Sequence, residues 1–101
     1  MKSVPAPVKR QLRAIGENIR TQRKLLGLTA AMVAERAGVS AQTLSHLENG
    51  RGAGLDTVLA VMRVLGLADA LVAASDPYGT DVGRMRATET LPQRVRVSTD
   101  G

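Results

Sequence analysis

The chain has 101 residues, a formal charge of +5, one histidine and no cysteine. That length suits one domain of ordinary size, and the missing thiols exclude a disulfide framework, thiolate zinc sites and a cysteine nucleophile together. Tyr78 is the single aromatic residue, which removes the stacking platforms on which single-stranded nucleic acid is usually held.

The charge is unevenly spread. Residues 1–54 hold nine Lys and Arg against three Glu, residues 55–75 sum to −1, and residues 76–101 to zero. A localised positive field draws in a polyanion and holds it by counterion release, although a charged solubilising face would have the same composition. The opening MKSVPAPVKRQLR has no apolar core and does not read as a signal peptide. The most apolar run, Val58 to Ala74, is broken by Arg63, Gly66 and Asp69 and is short for a membrane span. The expectation is a soluble, cytoplasmic chain with no membrane association. A core of this size removes only about two-thirds of the unfolded surface from water, so a second copy would add burial that one subunit lacks.

Residues 1–8, with Pro5 and Pro7, read as a flexible N-terminal arm. From about Lys9 to Leu26, Leu12, Ile15, Ile19 and Leu26 recur at whole helical turns, and Gly27 ends the helix. Thr29 is a good N-cap for a second helix, Ala30 to Ala37, since its hydroxyl can accept an amide proton of the first turn. Gly38 supplies the freedom for a sharp turn. Ser40 then caps a third helix from Ala41 to about Glu48, which Asn49-Gly50 stops. After the glycine-rich loop Arg51–Gly54, the spacing of Leu55, Val58, Leu59, Met62 and Leu65 predicts a fourth helix. Gly66 breaks it, and Ala68 to Ala74 would form a short fifth. The expected fold is all-α, five short helices over residues 9–75, followed by a C-terminal tail, 76–101.

The run from Thr29 to Gly50 carries the functional signal. Two helices joined by a tight turn must cross steeply, and the types required are present: small Ala34 at the crossing, Gly38 and Val39 in the turn, Val33, Ala37, Leu44 and Leu47 facing inward. A plain αα-corner would share that pattern. The outward face of the third helix, however, offers Gln42, Thr43, Ser45 and His46, short polar groups able to reach base edges, where a structural surface helix more often pairs Lys with Glu. A helix-turn-helix motif over residues 30–48 is the reading.

These residues resemble the Cro and phage-repressor-like (Xre-type) helix-turn-helix regulators. The similarity lies in Ile15-Gly16, Ile19-Arg20, Arg23-Lys24, Gly27-Leu28-Thr29, Ala34, Ala37-Gly38-Val39-Ser40, Thr43-Leu44-Ser45, Leu47-Glu48-Asn49-Gly50 and Leu55 through Gly66, about residues 12–72. It implies a five-helix domain, a homodimer on a palindromic operator of double-stranded DNA, and a third helix in the major groove. It further implies an internal ion pair between Arg23 and Glu48, and base contacts from Ala41, Gln42, Ser45 and His46. The alternatives for His46 are a phosphate contact or a simple exposed residue. Thr29, Ser40, Thr43, Asn49 and Arg51, near helix starts and in the following loop, are expected to hold phosphates. The chain departs from the family at Ala30, where a phosphate-binding glutamine is usual, and in the loop Arg51–Gly54, which lacks a side-chain cap for the fourth helix.

The tail leaves alternatives open. Its Gly, Pro and Thr content permits disorder, while Arg94-Val95-Arg96-Val97 alternates as a short strand would. Such a strand needs a partner, either its copy in a second subunit (dimerisation) or the sheet edge of another protein (partner docking). A repressor-like domain with such an extension loosely resembles HipB-type antitoxins, which implies autoregulation and the neutralisation of a HipA-like kinase toxin through the tail. Nothing in the sequence supports an enzyme, and no metal or cofactor is implied. The Gly52–Gly54 loop lacks the Lys-Ser/Thr pair that a phosphate-cradling loop requires.

Overall fold

The computed structural model describes residues 3–90, and over these it is helical with no strand. The helices are α1 (Ala6–Leu25), α2 (Ala30–Ala37), α3 (Ala41–Glu48), α4 (Leu55–Val64), α5 (Ala68–Ala74) and α6 (Asp81–Thr90), with a 3-10 turn at Pro77–Gly79. The chain divides into two compact units after Ala68. The strand expected at Arg94–Val97 lies outside the described residues.

In the first unit α1 packs on α3, α2 on α3, and α2 on α4. The core is Ile19, Val33, Ala34, Leu44, Leu47, Val61 and Leu65, with Leu28, Ala37, Val39, Val58, Met62, Val64 and Leu67 partly buried against it. Gln22 Nε2 donates to the Leu65 carbonyl at 3.1 Å and ties α1 to the end of α4.

Two features of α1 differ from the sequence reading. The helix begins at Ala6, with Pro5 as extended N-cap, so part of the segment expected as a loose arm is helical. Pro7 is no obstacle there, because the first turn has no intrahelical use for its amide proton. The inward face is also rotated. Ile15 is 40% exposed and Leu26 49%, while Gly16 and Ile19 are buried. The cause is close approach: a Cβ on Gly16 would lie 2.5 Å from the Leu47 carbonyl oxygen and 2.6 Å from that of Glu48. With backbone against backbone at Gly16, the positions at helical spacing from it (Leu12, Ile19, Arg20 and Arg23) turn toward α3.

The turn between α2 and α3 follows from local chemistry. Gly38 takes φ +72°, donates to Glu35 O at 3.2 Å, and lets Val39 N–H reach Ala34 O at 3.0 Å. Those two bonds close a Schellman-type helix end, which needs the left-handed conformation that glycine adopts without strain. α4 starts at Gly54 with no side-chain cap, and Asp56 Oδ1 accepts from Thr57 N instead.

The second unit was not legible as helix beyond α5. Asp76 Oδ1 accepts from Tyr78 N, opening the 3-10 turn. Thr80 Oγ1 accepts from Gly83 N at 2.9 Å, and Arg84 pairs with Asp81 and donates to the Tyr78 carbonyl. Gly83 lets α6 fold back on the turn, since a Cβ there would strike the Pro77 carbonyl. Over Asp81–Thr90 the tail is therefore helical, neither disordered nor extended.

Candidate nucleic-acid interface

α3 is a two-sided helix. Leu44, Leu47 and Glu48 are buried on its inner side, while Ala41, Gln42 and Ser45 are exposed on the other, with Thr43 and His46 half-buried between. Of the four residues expected to read bases, three thus stand fully outward and His46 lies at the flank. Its ring is engaged as well: His46 Nε2 and Arg51 Nη1 are 3.2 Å apart. That contact requires Nε2 to be the unprotonated acceptor, because the guanidinium has only donors.

The helix starts are built as the sequence predicts. Thr29 Oγ1 accepts from Met32 N at 3.1 Å, and Ser40 Oγ accepts from Thr43 N at 3.0 Å while donating to Thr43 Oγ1 at 2.8 Å. Met32 Sδ takes the Thr29 amide proton, filling the reciprocal position that Glu or Gln usually occupies. The hydroxyls of Thr29 and Ser40 stay on the surface.

The third helix is anchored by charge. Arg23 Nε donates to Glu48 Oε2 at 2.8 Å and Nη2 to Oε1 at 3.1 Å, a fork-on-fork pair. The side chains are 12% and 6% exposed. Arg23 Nη1 also donates to Leu28 O, so one guanidinium joins α1, α3 and the turn before α2. Burial pushes the Glu48 carboxyl up, but hydrogen bonding and charge from Arg23, with help from Arg20, outweigh it and hold the group below the ordinary carboxylate range. The hydrogen bond to Glu48 raises the Arg23 guanidinium in turn, against the lowering by burial.

Two members of this network escaped the sequence reading. Arg20 Nε donates to Glu48 Oε1 at 3.4 Å and Nη2 to Asn49 Oδ1 at 3.0 Å. The signal was present as spacing, since Arg20 and Arg23 stand three apart on one helix face. Asn49 is committed at its other end too, donating from Nδ2 to Ser45 O at 2.8 Å. Its side chain therefore ties α3 to α1, a structural engagement that expectation of a phosphate contact did not include. A cleft of about 170 Å³ beside this network is lined by Arg13, Glu17, Arg20, Glu48 and Asn49, equal in acids and bases.

Arg51 is exposed just past the helix stop. Gly50 takes φ +83° and lies so close to α1 that a Cβ would be 2.6 Å from Arg13 Cγ. The Arg51 amide then closes the helix by donating to His46 O at 2.9 Å. Outward polar helix face, capped starts and basic following loop occupy consecutive segments from Thr29 to Arg51.

No group of three or more His, Asp or Glu side chains gathers among the described residues. No described helix is long and apolar enough to cross a membrane. The chain has no match among curated proteins. Residues 14–75 match the helix-turn-helix domain, a stretch covering well over half of the chain. With the packed pair α2–α3 at its centre, the chain belongs to the helix-turn-helix domain family, a family of DNA-binding regulators.

Proposed function

We propose that this chain is a sequence-specific regulator that binds double-stranded DNA as a homodimer on a palindromic operator and represses transcription in the cytoplasm. The observation that carries the reading is the division of α3, anchored through Leu44, Leu47 and Glu48 and presenting Ala41, Gln42 and Ser45 to solvent. Its eight residues rise about 12 Å, about the width of the major groove. Gln42 has the amide needed for a paired contact to adenine, Ala41 suits a thymine methyl, and Ser45 and His46 complete the reading edge. Thr29, Ser40, Thr43 and Arg51 are the phosphate contacts that set the register, and Asn49 would join them only by giving up its bonds to Ser45. Half-sites about 34 Å apart follow from two such helices related by a two-fold axis. Exposed Leu25 and Leu55 leave apolar surface that a second subunit would cover. The reading requires no cofactor, metal or catalysis.

The test is Gln42→Ala combined with His46→Ala, measured on a selected operator and on random duplex. Each good base contact contributes about 1–3 kcal/mol of discrimination, so the ratio of the two affinities should fall at least tenfold while random binding changes little. Equal loss on both duplexes would remove the recognition-helix assignment.

A second reading is supported by the C-terminal unit. No described residue from Asp69 to Thr90 is buried, and Val72, Tyr78, Val82 and Met85 are exposed. A segment without a core of its own gains stability from a partner, which fits an antitoxin that docks a kinase-like toxin there and autoregulates its operon. Val82→Asp with Met85→Asp should then release a stoichiometric kinase-fold protein while operator affinity is kept. Retention of that protein, or purification of the wild type without one, favours the stand-alone repressor.

A further inference from the structure

A cleft of about 290 Å³ opens between the C-terminal parts of α2 and α4, lined by Arg36, Ala37, Ala60, Arg63 and Val64. None of these residues belongs to α3 or to the turns flanking it, so the DNA reading leaves the cleft unused. Among the described residues ion pairs form at Arg20, Arg23 and Arg84 only, which leaves Arg36 and Arg63 without a carboxylate. Both stand in the last turn of their helices, where part of their charge answers the helix ends. Each C-terminus carries about half a negative charge, so two termini offset about one of the two positive charges. About one positive charge remains over the cleft.

Two exposed arginines share the lining with Ala37, Ala60 and Val64, which supply its apolar part, the floor. A guanidinium fork matches the two oxygens of a carboxylate, and the methyl groups of the apolar lining favour hydrocarbon over water. The volume lies at the small end of ligand sites. We propose that the α2–α4 cleft binds a small organic carboxylate, its head held by Arg36 and Arg63 and its apolar body resting on Ala37, Ala60 and Val64. Inorganic phosphate would satisfy the arginines and leave the floor wet, and a neutral alcohol would do the reverse. The site stands or falls independently of DNA binding.

The full chain, labelled with nitrogen-15, is titrated with hexanoate, hexan-1-ol and inorganic phosphate while the amide signals of Ala37, Ala60 and Val64 are followed. Hexanoate should give saturable shifts there and bind at least several-fold more tightly than either control. Arg36→Gln with Arg63→Gln should weaken hexanoate roughly tenfold, the summed worth of two exposed charge contacts, with the rest of the spectrum in place. Ala60→Met, which fills the floor and keeps both arginines, should also abolish saturation. The proposal is overturned if hexanoate binds no better than hexan-1-ol or phosphate, or if either variant binds it like the wild type.

Discussion

Glu48 is the residue whose loss the structure makes most costly. Its carboxylate, 6% exposed, takes both donors of the Arg23 fork and a longer contact from Arg20. After Glu48→Ala, Arg23 keeps only the Leu28 carbonyl at 3.3 Å as partner for a side chain that is 12% exposed. Stranding one partner of a buried pair costs about 3–5 kcal/mol. Arg23 is not wholly enclosed, which places the loss near 3 kcal/mol, and Arg20, 39% exposed, adds little. A loss of that size lowers a urea midpoint by about 2 M at a slope of about 1.5 kcal/mol/M. The double variant Arg23→Met, Glu48→Leu removes both charges and should recover most of the stability, because apolar replacement of a buried pair is often neutral or better. The pH dependence has a definite sign. The folded carboxyl lies below its ordinary value, so its contribution is complete above the unfolded pKa of about 4.3 and is lost as pH falls through the lower folded value. Wild-type stability should therefore drop on acidification more steeply than that of Glu48→Gln. A loss below about 1 kcal/mol for Glu48→Ala, or a double variant no more stable than the single one, would refute the argument.

Gly16→Ala sets two effects against each other: helix propensity favours alanine by about 1 kcal/mol, whereas the new Cβ meets two carbonyl oxygens of α3 at an overpacking cost of about 1–3 kcal/mol. Both neighbours are backbone, so the clash should win, and thermal or urea unfolding should show net destabilisation; a stabilised variant would mean that α1 and α3 are not so close. Arg51→Ala should weaken operator and random duplex alike and reduce the slope of log affinity against log salt by about one, as loss of one phosphate contact requires. An unchanged slope would take Arg51 off the interface.

Much of the first unit was legible because its signals are local. Thr29 and Ser40 cap the helices that follow, and the glycines at 27, 38, 50 and 66 all take positive φ where the sequence reading ends or turns an element. Such signals act within a few residues, so α2 and α3 have the boundaries their sequence predicts. The outward placement of Gln42 and Ser45 follows as well, since Leu44 and Leu47 leave that side of α3 free. α6 was not readable, because Asp81–Thr90 has no continuous apolar stripe and is organised by Thr80, Asp81 and Arg84.

What the amino-acid order determined by itself was therefore helix starts, stops and the inner side of α3. Tertiary structure alone decided the rotation of α1, where the bare backbone at Gly16 meets the Leu47 and Glu48 carbonyls and turns Ile15 outward. That rotation also recruited Arg20 and Asn49 to the Arg23–Glu48 pair. The reason is distance along the chain: contacts joining residues 25 to 32 positions apart are settled by how two helices pack, and no spacing within either helix encodes that depth of approach.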